Sequence, residues 1–239
     1  MNNTLSVEKE VLKGSCRFCG ATLRHTFVDL GMSPLCQTVI APDRLNDMEP
    51  FYPLHSYVCD GCFLVQLQEY VSPKEIFGEY AYFSSYIDAL LKSARNYADL
   101  MVERFNIGSD SKVVEVASND GYLLQYFAKK GIPVLGIEPA ANVAKVAIEE
   151  KGIPTLIKFF GKQVAQEVAS EQGKADLLLA NNAFAHVPNV NDFVAGMKVL
   201  LKSDGVITIE FPHLMQLIED NLYDTIYHEH FSYFSLTTA

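Results

Sequence analysis

One stretch of twelve residues, 113–124 (VVEVASNDGYLL), constrains the fold of this chain more than any other. A short β-branched run stops at Glu115, a small polar turn follows, and apolar residues then recur at helical spacing. A strand, a tight turn and a helix N-terminus in that order form the place where α/β sheets hold nucleotides. A second strand, Val134–Ile137, ends on Glu138 and Pro139. An acid at that tip can accept hydrogen bonds from both hydroxyls of a ribose, so the pattern points to an adenosine-containing cofactor.

The rest of the chain supports a sheet around that turn. Strands are expected at 112–116, 134–137, 155–157, 176–180 and 206–210. Helices are expected between them at 122–129, 141–150, about 162–171 and 193–201, with Gly131 and Gly205 as stops. This β-α-β rhythm with buried strands implies a parallel, doubly wound α/β sheet. Upstream, Ile87, Leu90, Leu91, Ala94, Ala98, Met101, Val102 and Phe105 hold one helical stripe that Gly108 should end. Residues 70–86, dense in tyrosine and broken by Pro73 and Gly78, read as a connection draped over another part of the molecule.

At 239 residues the chain can bury one large core, or a small module beside a medium one. Its net charge of −10 argues against a nucleic-acid partner, which needs a basic surface. No apolar run approaches the roughly 20 residues that span a bilayer, so no membrane role is expected. The polar start, MNNTLSVEKEVLKGS, lacks the basic-then-apolar order of a signal peptide, which makes the cytoplasm the default location.

In that compartment cysteines are poor candidates for disulfides. Four of the five form two CxxC pairs, Cys16/Cys19 and Cys59/Cys62. Each pair lets two thiolates converge on one metal from a single turn, and together they give the four soft ligands of a structural, tetrahedral Zn²⁺. The long gap between the pairs suggests a looped excursion around residues 30–35, with strand-like segments at 57–58 and 63–67. Cys36 reads as a packed thiol, and four unliganded buried cysteines are the plain alternative.

The cofactor can be narrowed. A dinucleotide turn uses GxGxxG so that a pyrophosphate can approach the backbone, and this turn offers only Gly121. It resembles instead the first motif of class I S-adenosylmethionine-dependent methyltransferases, an acid followed by three alternating small positions, here Ala117, Asn119 and Gly121. That resemblance implies that Glu115 and Asp120 help to receive the cofactor's charged amino group. It also implies that Glu138 holds the ribose, and that Asn181 and Asn182 lie near the reacting methyl. The competing reading makes Glu115 and Asp120 ordinary turn and cap residues.

Residues 227–233, YHEHFSY, follow the last strand and should sit above the carboxyl ends of the strands. A histidine there can remove a proton at neutral pH, a carboxylate can orient it, and a tyrosine can donate to a developing oxyanion. His228 and His230 could instead chelate a metal if the segment is extended, or simply pack in a loop. His186 is a further candidate base, or a capping or core residue.

Taken in order, CRFCG, CDGC, YAYFSSY, VASNDGYLL, GIEPA, ANNAFAHV and YHEHFSYFS resemble the sugar C-methyltransferases. These enzymes have an N-terminal zinc-binding domain and act on nucleotide-linked 4-keto-deoxysugars. The resemblance implies a zinc-binding domain over 1–80 and a Rossmann-like S-adenosylmethionine-binding domain over 81–239. It implies that His230 removes the proton next to the ketone, with Tyr227 and Glu229 assisting and Tyr82 reaching over the sugar. The resulting enolate takes the methyl group, and the zinc stays remote from the chemistry. The family sheet runs on past strand five, so the chain is expected to be a fragment, a truncated reading frame, or a partner of a separate chain, with strand five left at a sheet edge. A degenerate relative that binds cofactor or a partner chain without turnover is the alternative.

Overall fold

The computed structural model of the chain describes residues 14–36, 38–78 and 80–239. The polar start at residues 1–13 lies outside the described residues.

The cysteine-rich part is an antiparallel sheet in which β1 (His25–Ser33) pairs with β2 (Tyr52–Val58), and β2 with β3 (Val65–Leu67). The excursion expected at 30–35 is thus strand as far as Ser33. Gly31, at φ +79°, falls where the β1–β2 register shifts between Asp29 and Met32. A bulge absorbs the glycine that looked like a turn signal.

The tyrosine-rich connection begins with a short helix, α1 (Pro73–Phe77), closed by a reciprocal cap between Ser72 and Glu75. Next comes α2 (Asp88–Phe105), whose buried residues Ala94, Ala98 and Met101 belong to the expected stripe. Asn106, not Gly108, ends it. That residue takes φ +50° and its N–H donates to Val102 O, because asparagine tolerates the left-handed region.

Strands and helices then alternate as β4 (Val113–Val116), α3 (Leu124–Ala128), β5 (Val134–Ile137), α4 (Ala141–Glu149) and β6 (Thr155–Leu156). The series continues with α5 (Lys162–Gln172), β7 (Ala175–Asn181), α6 (Val190–Leu200) and β8 (Leu201–Glu210). The five strands form one parallel sheet in the order β6-β5-β4-β7-β8. Gly205 lies inside β8 and does not stop α6. A Cβ there would stand 3.0 Å from Ala175 O, so β7 and β8 approach closely where their register slips.

Alternation along the central strands builds two cores. Val113, Leu177 and Leu179 pack with Phe127 and the α2 stripe, while Val114, Val116, Leu178 and Ala180 pack with Phe193 and Met197. The chain winds outward from β4 to β6, then returns to the other side for β7 and β8. The switch point between β4 and β7 is where such sheets open a crevice at the carboxyl ends of the strands.

After α7 (Leu214–Glu219) the chain comes back to the cysteine-rich sheet. Its last strand, β9 (Ser232–Tyr233), pairs antiparallel with β3. Leu54, Val65 and Leu67 share one apolar cluster with Leu214, Leu217, Ile226 and Tyr233. A division of the chain at residue 80 is therefore crossed by both a sheet and a core. Among the described residues β8 has a single strand neighbour and stands at the sheet edge. Among the described residues no helix is long and apolar enough to cross a membrane.

Candidate active site

The turn after β4 places Ala117, Asn119 and Gly121 all at positive φ, +56°, +49° and +74°. Alternate small residues are needed because every second peptide turns through the left-handed region. Gly121 also has no room for a side chain, since a Cβ would lie 3.1 Å from Ile153 and 3.3 Å from Ala147. The turn is tied to β5 by Ala117 N–H, which donates to Ile137 O at 2.8 Å. Gly136 in β5 admits it, because a Cβ there would stand 2.4 Å from Ser118 Oγ.

Three acids surround this turn in different states. Glu115 is wholly buried, and among the described residues neither carboxyl oxygen has a hydrogen-bond partner. Burial, reinforced by Glu138 and Asp120, holds its carboxyl far above the usual range. Glu138, at the tip of β5, accepts the N–H of Asn119 on Oε2 and that of Ala140 on Oε1, both at 2.9 Å. Burial raises it to about 7 against the pull of those two bonds. Asp120 turns away: Lys151 stands 3.2 Å from Oδ1, and Oδ2 accepts the Ser85 N–H at 3.1 Å. The charge expected to meet a cofactor amino group is thus already paired with a lysine.

The tyrosine-rich connection is clasped over the turn by two asparagines. Asn119 accepts the Ser84 N–H at 2.9 Å and donates to Tyr82 O at 3.0 Å. Asn142, in the first turn of α4, accepts the Tyr80 N–H at 3.1 Å and donates to Tyr80 O at 2.7 Å. Each side-chain amide imitates a strand neighbour.

Turn, clasped segment and strand ends enclose a cavity of about 740 Å³. Of the sequence-predicted residues, Ala117, Asn119, Glu138, Asn181, Asn182, Tyr82, Tyr227 and His230 line it; Glu115, Asp120, Gly121 and Glu229 do not. Asn182 Nδ2 also donates to Glu210 Oε1 at 2.9 Å, fastening the end of β7 to that of β8.

The wall opposite the turn carries the histidines. His230 must donate from Nδ1, because its partner there is the Thr225 carbonyl at 2.8 Å. Nε2 is then a bare acceptor, and the Tyr227 hydroxyl lies 2.9 Å from it. Burial lowers His230 to about 4 and raises Tyr227, so at neutral pH the pair is an uncharged base and phenol. His186, also lining the cavity, donates from Nδ1 to Glu229 O at 3.1 Å. Its ring centroid is 4.7 Å from that of His230, and burial lowers it to about 3.

His228 departs from the chelating alternative. The segment is a turn, closed by His230 N–H to Tyr227 O, and His228 Nε2 points instead to Pro53 O at 3.2 Å. Glu229 faces a second, smaller cavity, where Cys36 Sγ and Tyr80 Oη donate to its two oxygens at 3.2 and 3.1 Å. Burial drives that carboxyl up and pushes the Cys36 thiol to about 12.

The sulfurs of Cys16, Cys19, Cys59 and Cys62 all lie within 4.8 Å of one another, with Cys16–Cys62 at 3.5 Å and Cys19–Cys59 at 3.6 Å. Four thiolates around an ion with bonds of about 2.3 Å need separations near these. Gln66 Nε2 donates to Cys16 Sγ at 3.1 Å, a contact that orients a ligand from outside.

A family model described as "Methyltransferase domain" matches residues 87–238. The chain belongs to that methyltransferase family. A second model, described as "Putative zinc binding domain", matches residues 16–77. Among curated proteins, the C-methyltransferase NovU of Streptomyces niveus is 36% identical over 92% of this chain and 52% of its own length. A ubiquinone biosynthesis O-methyltransferase of Bartonella quintana is 28% identical over 41% of this chain and 40% of its own. The chain spans about half the length of the curated relatives it matches. Among solved structures, Streptomyces venezuelae DesVI superposes with a TM-score of 0.41 at 18% identity, over 52% of this chain and 51% of that one.

The site fits S-adenosylmethionine. The turn opens at a wholly buried acid whose oxygens lack partners among the described residues, and the next strand tip carries a second acid on the cavity wall. A buried carboxyl on the cavity wall, as Glu138 is, suits the hydroxyl donors of a ribose. Three residues of the site were invisible in the sequence. Nothing in the sequence marks Asn142 or Lys151, because their partners Tyr80 and Ser85 lie more than 60 positions away. Tyr80 was one tyrosine among several.

Proposed function

We propose that this chain transfers a methyl group from S-adenosylmethionine to the carbon next to the ketone of a nucleotide-linked 4-keto-deoxysugar. The observation that carries this reading is the bare Nε2 of neutral His230, facing the Tyr227 hydroxyl in the wall of a methyltransferase cavity. Likeness to NovU, a C-methyltransferase, favours carbon as the acceptor, and the ordered motifs favour the sugar.

The residues divide the work as follows. Glu138 grips the ribose, with the strand ends at Asn181 and Asn182 around the rest of the cofactor. His230 takes the proton from the carbon beside the ketone, and Thr225 O holds the imidazolium that forms. That cation and the enolate arise together in a buried site, where opposite charges attract strongly. The Tyr227 hydroxyl, released from Nε2 as that nitrogen gains its proton, donates to the enolate oxygen. Tyr82 closes over the sugar. S-adenosylmethionine supplies an electrophilic methyl for the enolate carbon.

The test uses zinc-loaded protein, a nucleotide-linked 4-keto-6-deoxysugar and D₂O. With the demethylated cofactor bound, deuterium enters at the carbon next to the ketone. With methyl-labelled S-adenosylmethionine, label appears on that carbon. His230→Ala abolishes both. Cofactor binding without exchange or transfer would mark a binding module without turnover.

A further inference from the structure

Arg17 lies between the two ligands of the first cysteine pair and is 8% exposed, yet the chemistry above makes no use of it. Among the described residues it forms no ion pair. Glu69 attracts it only at longer range, so this buried guanidinium is held mainly by dipoles and rings, and these come from three separate parts of the chain.

Its Nη1 donates to Pro188 O at 2.8 Å, two residues past His186. Its Nη2 donates to Leu67 O at the end of β3. The guanidinium carbon lies 5.4 Å from the ring centre of Phe231, the residue after His230. The backbone of Phe231 is itself strung between the same neighbours, with its N–H donating to Ala185 O at 2.8 Å and its carbonyl accepting Leu67 N–H at 3.0 Å. Behind Arg17, its own N–H donates to Gln66 Oε1 at 2.9 Å, and Gln66 touches the Cys16 sulfur.

We propose that Arg17 is a positioning residue that locks the two histidine-bearing loops of the cavity to the cysteine-rich module. The module is then the frame against which His186 and His230 are set, and not a remote appendage. A planar fork is required, because one ammonium on a flexible stem cannot serve Pro188 O and Leu67 O together while stacking on Phe231.

This inference rests on the proposed reaction only where turnover is measured, so the deciding readout is spectroscopic. Arg17→Met and Arg17→Lys are prepared in the full, zinc-loaded chain with ¹⁵N-labelled histidine. The parent should show two protected imidazole N–H signals, from His230 to Thr225 O and His186 to Glu229 O, assigned by His230→Gln and His186→Gln and distinct from a third, from His228 to Pro53 O. Both Arg17 variants should keep their zinc and bind S-adenosylhomocysteine within about twofold of the parent, yet lose or broaden both signals. The kcat for methyl transfer should fall on the order of 10²-fold with little change in KM, as for a small misplacement of the reacting groups. Retention of both signals in Arg17→Met would overturn the proposal. Loss of zinc or of cofactor affinity in both variants would also overturn it, because Arg17 would then serve only the module's own fold. If the parent shows the signals but no turnover, the proposed reaction fails and the imidazole signals still decide the role of Arg17.

Discussion

Asn119 joins three features that are separate in the sequence: the left-handed turn, the acid at the tip of β5 and the tyrosine-rich segment. Its N–H donates to Glu138, and its side chain holds Tyr82 O and Ser84 N–H. Asn119→Gly removes the side-chain bonds but suits φ +49°. The lost bonds are worth roughly 1 kcal/mol each, and more where the buried Ser84 amide is left without a partner, so about 2–3 kcal/mol of local stability should go. Asn119→Ala loses the same bonds and adds about 1 kcal/mol for a Cβ in the left-handed region. Native-state hydrogen exchange at the Ser84 amide reads the first effect directly, as a loss of protection of roughly 30-fold or more at 1.4 kcal/mol per decade. Urea denaturation of the zinc-loaded variants reads the second, with Asn119→Ala melting before Asn119→Gly. Unchanged protection at Ser84, or equal stability of the two variants, would refute the clasp and the strain respectively.

Three other outcomes follow from the same geometry. Gly136→Ala puts a Cβ 2.4 Å from Ser118 Oγ and 2.9 Å from Thr155 Oγ1, and should cost about 1–3 kcal/mol by denaturant titration and weaken cofactor binding. His186 and His230 have folded pKa values lowered to about 3 and about 4. Their stabilising effect is therefore complete above the ordinary histidine range near 6.5 and is lost as pH falls toward 4, since the unfolded chain binds protons first. His186→Gln should accordingly lower the pH of acid unfolding relative to the parent, as followed by circular dichroism. Removing the metal with a strong chelator should expose the amides of β3 and β9 together, because Ser232 and Tyr233 pair with Gln66 and Val65; protection lost in β3 alone would contradict this.

Much of the sheet was legible because its strands are short, apolar and bounded by turns. Val134–Ile137 is a strand with the same bounds in sequence and structure, and the positive φ at Ala117, Asn119 and Gly121 follows the alternation of small residues. Signals that depend on one residue type misled where another residue could do the same physical work. Asn106 ended α2 in place of Gly108, and a bulge at Gly31 continued a strand that a turn had seemed to break. Long-range pairing was out of reach. No periodicity announces that Ser232–Tyr233 joins a sheet begun at His25, or that Asp120 meets Lys151 before it can meet a ligand. His228 and His230 seemed equivalent at a spacing of two, and only the turn at Tyr227 separates them.

Titration calorimetry of S-adenosylhomocysteine into zinc-loaded protein goes to the heart of the matter, because Glu138 is the one acid exposed to the cavity at the β5 tip. Saturable heat at one site per chain is expected, weakened at least about tenfold, or 1.4 kcal/mol, in Glu138→Ala. No heat with the parent chain, or an affinity indifferent to Glu138→Ala, would contradict a cofactor seated on the carboxyl ends of β4 and β5.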